Sequence, residues 1–323
     1  MLDARTLGLL GGVLVALSAA WAVVRFLRTR TDSGVDPAML ETFRTRVRAW
    51  FMLFLVLITA FWLGNVTTVV LFWLISFWAL REFITLTPTR PADHRTLFWV
   101  FFLLTPLQFL LVGLDLSDRF DAYPFYSILI PVFAFLLLPA RIALSGDYKR
   151  FLERTAKMQA GLLICVYCLS YAPALLTLHL PRGDAYGNAR LLFFFVLIVQ
   201  LSDAFQYAWS HLPSRHVIAP TINPTRTWEG LLGGLASATL LGAALWWATP
   251  FPFWLAGLMS AAIGAMGFAG SLTMSAIKRD RGVEDYGTLV EGHGGVLDRI
   301  DSICFAAPVF FHFTKYWLLW FGG

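Results

Sequence analysis

Long apolar runs alternate with short polar breaks along almost the whole chain. A helix that crosses a bilayer needs about 20 mostly apolar residues. On that measure ten segments stand out, near 7–27, 49–64, 66–83, 97–114, 123–143, 157–180, 189–210, 230–248, 252–276 and 303–320. Gly64 and Asn65 alone separate the second from the third, which predicts a tight helical hairpin. Pro124, Pro131 and Pro173 fall in or at the start of spans, where neighbouring helices can satisfy the backbone groups a proline frees. The first run is followed by Arg25, Arg28 and Arg30 and preceded by Arg5 alone. A signal peptide carries its charge ahead of the apolar core, so this run reads as a retained helix with its N-terminus outside.

Composition agrees with the pattern. The 323 residues are 58% hydrophobic and 14% charged, where a soluble domain has about 25% charged residues. The expected fold is therefore all-α: a polytopic integral membrane protein of about ten transmembrane helices. Loops near 28–48, 81–96, 141–157, 211–228 and 277–302 hold 19 of the 25 Lys and Arg residues. Those near 115–122, 181–189 and 249–251 hold only Arg119 and Arg182. Basic loops stay in the cytoplasm, which places both termini outside. The net charge of +5 is spread over these loops instead of forming one soluble basic face, so nucleic acid is not an expected partner. Cys165 and Cys168 form a C-x-x-C inside an apolar run with no second ligand pair, and read as helix packing. No repeat or soluble domain is evident. One membrane domain is expected, with residues 1–190 as lipid-facing scaffold and 191–323 carrying the unusual polar groups.

Those polar groups are concentrated. In the seventh span Gln200, Asp203 and Gln206 share a stripe at a spacing of three. A carboxylate in a span costs about 2.5–3.5 kcal/mol on insertion scales and is a functional residue by default; a plain helix–helix hydrogen bond is the alternative. The stretch "INPTRTWEG" (222–230) leads into the eighth span. Asn223-Pro224 marks a turn, Thr227 can cap the following helix, and Arg226 falls near a helix N-terminus, where anions are favoured. A capped loop with one snorkelling arginine explains the same residues equally well. Lys278 and Arg279 end the ninth span, as plain interfacial anchors also would. Beyond them Gly292, Gly294 and Gly295 surround His293 and can aim backbone N–H groups at an anion. Asp298 and Asp301 follow at i and i+3, with Asp285 upstream. Hard carboxylate oxygens beside a phosphate-sized cradle suit Mg²⁺ bound between protein and phosphates.

From Ser275 to Asp301 the chain resembles the phosphatidate cytidylyltransferase (CDP-diacylglycerol synthase) family. Ser275, Lys278, Arg279, Asp285, Gly287, His293, Gly294, Gly295, Asp298, Arg299 and Asp301 fall at the spacing of that family's signature. "NPTRTWEG" is similar to its Ser-Pro-Gly-Lys-Thr-Trp-Glu-Gly, and Asp203 with Tyr207 to its Asp-x-Gly-Ala-Tyr. The resemblance implies transfer of a cytidylyl group from CTP to phosphatidate, giving CDP-diacylglycerol and pyrophosphate for phospholipid synthesis. It implies a bacterial inner-membrane enzyme with its active site on the cytoplasmic side. Asp203, Lys278, Arg279, His293 and Arg299 become the expected catalytic residues. Asn223, Arg226, Thr227, Trp228, Glu229, Ser275, Gly294 and Gly295 become substrate-binding residues. Asp285, Asp298 and Asp301 become the Mg²⁺ site, with room for a second cation; CTP, phosphatidate and the bilayer are the partners, and a homodimer stays open.

The chain departs from the family at several places. Glu284 stands for a lysine, Glu291 for proline or glycine, Phe205 for glycine and Arg226 for lysine. Two other classes fit the residues: a CTP-dependent lipid enzyme such as a polyprenol kinase, which would transfer the γ-phosphate, and a non-catalytic transporter or scaffold. A transporter would spread polar groups on both sides of the midplane, whereas here they gather at one edge.

Overall fold

The computed structural model describes residues 4–29, 37–86, 89–117, 120–180, 187–211, 216–283, 285–287 and 294–321. Each of the ten apolar runs is helical. In chain order the helices are α1 (Ala4–Thr29), α2 (Pro37–Leu63), α3 (Asn65–Thr85), α4 (Pro91–Asp115), α5 (Tyr123–Ala143) and α6 (Phe151–Thr177). They continue as α7 (Gly187–Trp209), α8 (Trp228–Ala244), α9 (Phe253–Arg281) and α10 (Leu297–Phe321). Helices are the natural outcome, because in a span every backbone N–H and C=O must find a partner within the protein. Gly64, at φ +115, makes the break between α2 and α3, a conformation that glycine adopts without strain.

The described structure is almost entirely helical, as expected. Among the described residues six helices, α3 to α7 and α9, are long and apolar enough to cross a bilayer; ten spans were expected. In α2 the apolar stretch is Phe51–Leu63, and α8 is 17 residues long. One short hairpin accompanies the helices. Strands β1 (Val217–Ala219) and β2 (Asn223–Thr227) form an antiparallel pair, with Val217 opposite Thr227 and Ala219 opposite Asn223.

The chain divides into two compact units, residues 1–68 and 69–323. In the first, α2 ends at Gly64, whose N–H donates to the Ala60 carbonyl at 3.0 Å, and the Gly64 carbonyl in turn accepts the Thr68 N–H at 3.2 Å. In the second, α7 is the central helix, buried continuously from Ala189 to Gln200. Phe195 stacks on Phe310 of α10 with ring centroids 5.3 Å apart. Wide π-type turns interrupt α4, α5 and α6. In α5 the cause is visible: Pro131 has no N–H to offer the preceding turn. Side chains from neighbouring helices meet two of that turn's carbonyls. Gln108 donates to the Tyr126 carbonyl at 3.0 Å, and the Tyr167 hydroxyl to that of Ser127 at 3.0 Å. The C-x-x-C contributes to packing, as expected, with Cys165 fully buried.

Small residues set the helix spacing where it matters. A Cβ on Gly264 of α9 would lie 2.5 Å from Ser202 Oγ of α7. One on Gly270 would lie 2.9 Å from the Asp301 carbonyl of α10. These glycines let three backbones approach closely, so the polar residues one turn further along each helix come together at one end.

Candidate active site

The site is built from the C-terminal ends of α7 and α9, the N-terminal ends of α8 and α10, and the β1–β2 hairpin. On α7, Gln206 donates to Ser202 Oγ at 3.1 Å. From β2, Arg226 donates to Gln206 Oε1 at 3.0 Å and to Ser271 Oγ on α9. The same guanidinium lies 4.0 Å from Asp203 Oδ1. The sequence placed Arg226 beside a helix N-terminus; the structure turns it inward onto the polar stripe of α7. Asp301, on the second turn of α10 ahead of its apolar run, is buried against the same group of residues. Burial and then the Asp203 carboxylate push its acid up to about 7, with Arg226 acting in the opposite direction. Burial and a neighbouring carboxylate both favour the protonated form of the acid.

Ser271, Ser275 and Lys278 follow at i, i+4 and i+7 and so line one face of α9. Asn223 donates from its amide to Ser275 Oγ at 3.1 Å while its Oδ1 accepts the Thr225 N–H at 3.1 Å. The hairpin is thereby fastened to α9. Lys278 Nζ donates to Asp298 Oδ1 at 2.8 Å. The other oxygen of Asp298 accepts the N–H groups of Tyr286, at 2.9 Å, and of Gly295, at 3.0 Å. Gly294 adopts φ +77, and a Cβ there would lie 2.9 Å from Asp298 Oδ2 and 3.0 Å from Asp285 Oδ1. Both carboxylates therefore crowd this one glycine, which cannot be replaced without strain. Burial lowers the pKa of Arg299, while Asp298, Asp285 and Asp301 hold it charged.

Most of the expected residues thus converge. Asp203, Asn223, Arg226, Ser275, Lys278, Asp285, Gly294, Gly295, Asp298, Arg299 and Asp301 form one connected cluster. Three others make supporting contacts. Thr227 caps α8, its Oγ1 accepting the Gly230 N–H at 3.0 Å, as its position suggested. Glu229 accepts the backbone N–H of His216 at 3.1 Å and pairs with its ring, which pulls its acid down to about 2. Arg279 donates to the Ile222 carbonyl at 3.3 Å. Trp228 is half exposed. His293 lies outside the described residues, as do Glu284, Glu291 and Gly292.

The glycine turn was expected to offer its N–H groups to an anion. Of that turn the Gly295 N–H goes to a carboxylate of the protein itself, and so do the next two N–H groups, at the start of α10. Asp298 accepts from Gly295, and Glu82 of α3 accepts from Val296 at 3.0 Å and from Leu297 at 2.8 Å. Glu82 is 4% exposed, and no motif pointed to it. The available signal was a single acid inside the apolar run 66–83, where its insertion cost of about 2.5–3.5 kcal/mol calls for a compensating partner. Nor is there a preformed metal cage: among the described residues no three His, Cys, Asp or Glu side chains sit close enough to hold one ion. The donor set still suits a cation. Among the described residues the carboxylates of Asp203, Asp285, Asp298 and Asp301 gather beside Arg226, Lys278 and Arg299, a group of hard oxygen donors.

Comparison with known sequences bears on the same region. The model of the family described as "Cytidylyltransferase family" matches residues 44–317. Escherichia coli (strain K12) has a relative, named "Uncharacterized protein YnbB", that is 38% identical over 253 residues, covering 77% of this chain and 79% of the relative. A phosphatidate cytidylyltransferase of Synechocystis is 43% identical over 95 residues, 29% of this chain and 32% of its own length. One from Haemophilus influenzae is 36% identical over 144 residues, 40% of this chain and 47% of its own. The chain thus spans about a third to a half of these two enzymes. With a match running from within α2 into the last turns of α10, and so across every element of the site, the chain belongs to the cytidylyltransferase family.

Proposed function

We propose that this protein transfers the cytidylyl group of CTP to a lipid phosphate, phosphatidate, at the polar cluster where α7, α9 and α10 meet. The observation that carries the reading is the charge pattern there. Arginines and a lysine reach in from three different elements toward a cluster of carboxylates too acidic to receive two polyanions unaided. A divalent cation such as Mg²⁺ fits that donor set. Asp203, Asp285, Asp298 and Asp301 are the residues that would hold it directly or through water, and when bound it would neutralise phosphate charge.

The reaction asks little covalent help of the protein. A phosphate monoester has a second pKa of about 6 and is largely a dianion at neutral pH. Its oxygen can attack the α-phosphorus of CTP without a strong base, forming the new P–O bond as the α–β bond breaks and pyrophosphate leaves. The barrier is the meeting of like charges and the charge that builds on the leaving group. Arg226, Lys278 and Arg299 supply fixed positive charge for it. Arg226 is held by Gln206 and Ser271, and Lys278 by Asp298, so neither must be reorganised during the reaction. The cluster lies at the ends of long apolar helices, where a lipid headgroup can enter sideways from the inner leaflet. Purified protein in detergent, given CTP, Mg²⁺ and phosphatidate, is expected to release pyrophosphate, and Asp298→Asn to abolish the release. Folded protein that makes no CDP-lipid from any phosphorylated lipid would refute the assignment.

A further inference from the structure

We infer that Glu82, on α3, is a positioning residue for this site: its carboxylate fixes the first turn of α10 and through it Asp298, Arg299 and Asp301. The inference rests on the reaction proposed above. Glu82 Oε1 accepts the Val296 N–H at 3.0 Å and Oε2 the Leu297 N–H at 2.8 Å. These are two of the N–H groups a helix leaves unpaired at its start. A carboxylate there also matches the positive end of the helix dipole. The cap comes from 214 residues away in sequence, so it ties two distant elements together instead of closing a local turn.

Glycines on both sides of the carboxylate are fitted to it. A Cβ on Gly287 would lie 2.8 Å from Glu82 Oε1, and one on Gly295 2.4 Å from Oε2. Gly287 follows Asp285 and Tyr286, and Gly295 donates to Asp298. The carboxylate is thus wedged between the stretch of chain bearing Asp285 and the first turn of α10, which bears Asp298 and leads on to Asp301. Any rotation of α10 about its first turn would move Asp298 away from Lys278. Glu82 touches none of the basic groups assigned to phosphate, so it acts through α10 and not on the substrate.

The discriminating variant is Glu82→Gln, which keeps the shape but replaces one acceptor oxygen with an NH₂ that faces an N–H. In full-length protein in detergent, amide hydrogen exchange of the peptide spanning 294–301 is expected to speed up about tenfold. The kcat with CTP and phosphatidate is expected to fall about 10²-fold, the effect of an ångström-scale misplacement. Gly287→Ala, which pushes the same carboxylate from the other side, should reproduce both changes and covers the case in which Glu82→Gln does not fold. A role limited to filling space predicts wild-type exchange and wild-type kcat in Glu82→Gln, and either result overturns the inference. If wild-type protein makes no CDP-lipid while Glu82→Gln still opens residues 294–301, the assigned reaction fails and the hold of Glu82 on α10 stands.

Discussion

Asp301 is the residue on which the electrostatics of the site converge. Its acid is pushed up to about 7 by burial and by Asp203, against the pull of Arg226, so it carries a proton through most of the acidic range. A cation that binds there must displace that proton. Cation affinity is therefore expected to rise with pH across neutrality, because fewer protons remain to be released at higher pH. Mn²⁺ binding followed by electron paramagnetic resonance at roughly pH 6 and pH 8 should show tighter binding at the higher value, and Asp301→Asn should flatten the difference. Charged residues were legible at this scale because the chain has so few of them: Asp203, Lys278, Asp298 and Asp301 each stood out against an apolar background. Glu82 did not, although it too lies in an apolar run. Its partners are backbone N–H groups far along the chain, and backbone groups leave no mark in a sequence.

Helices were easier to read than their neighbours. All ten apolar runs are helical, because apolar length is the signal and the membrane's demand for satisfied backbone groups is the cause. The β1–β2 hairpin was missed. Its strands are three and five residues long and show no alternation of polar and apolar residues. They are set by the tertiary contacts of Asn223 with Ser275 and of Glu229 with His216. The cap on α8 was visible, and Thr227→Ala should cost about 1 kcal/mol, read as a lowered thermal midpoint in detergent. Helix spacing makes a sharper demand. Gly270→Ala places a Cβ 2.9 Å from both the Asp301 carbonyl and the Phe305 ring. Overpacking of this kind costs about 1–3 kcal/mol, and because it shifts α10 against α9 it should lower activity more than stability alone explains. Thermal melts and turnover on the same preparation separate the two effects.

At the scale of the molecule the sequence pointed to an integral membrane protein, and among the described residues six of the ten expected spans are long and apolar enough to cross a bilayer. The helices outside that six include α8, at 17 residues, and α2, apolar over Phe51–Leu63. The sidedness we propose follows from the basic loops. Tyr148, 80% exposed in the basic loop after α5, offers a test. A cysteine placed there should react with a membrane-impermeant maleimide in inside-out vesicles and not in intact cells. The reverse pattern would move the site to the other face.

The central claim is the transfer of the α-phosphoryl group with its nucleoside, and the fate of two labels in CTP tests it most directly. With α-labelled and γ-labelled CTP, Mg²⁺ and phosphatidate, the α-label should appear in a CDP-lipid and the γ-label in pyrophosphate. A γ-label that ends in the lipid, or a folded protein that moves neither label, would contradict the account.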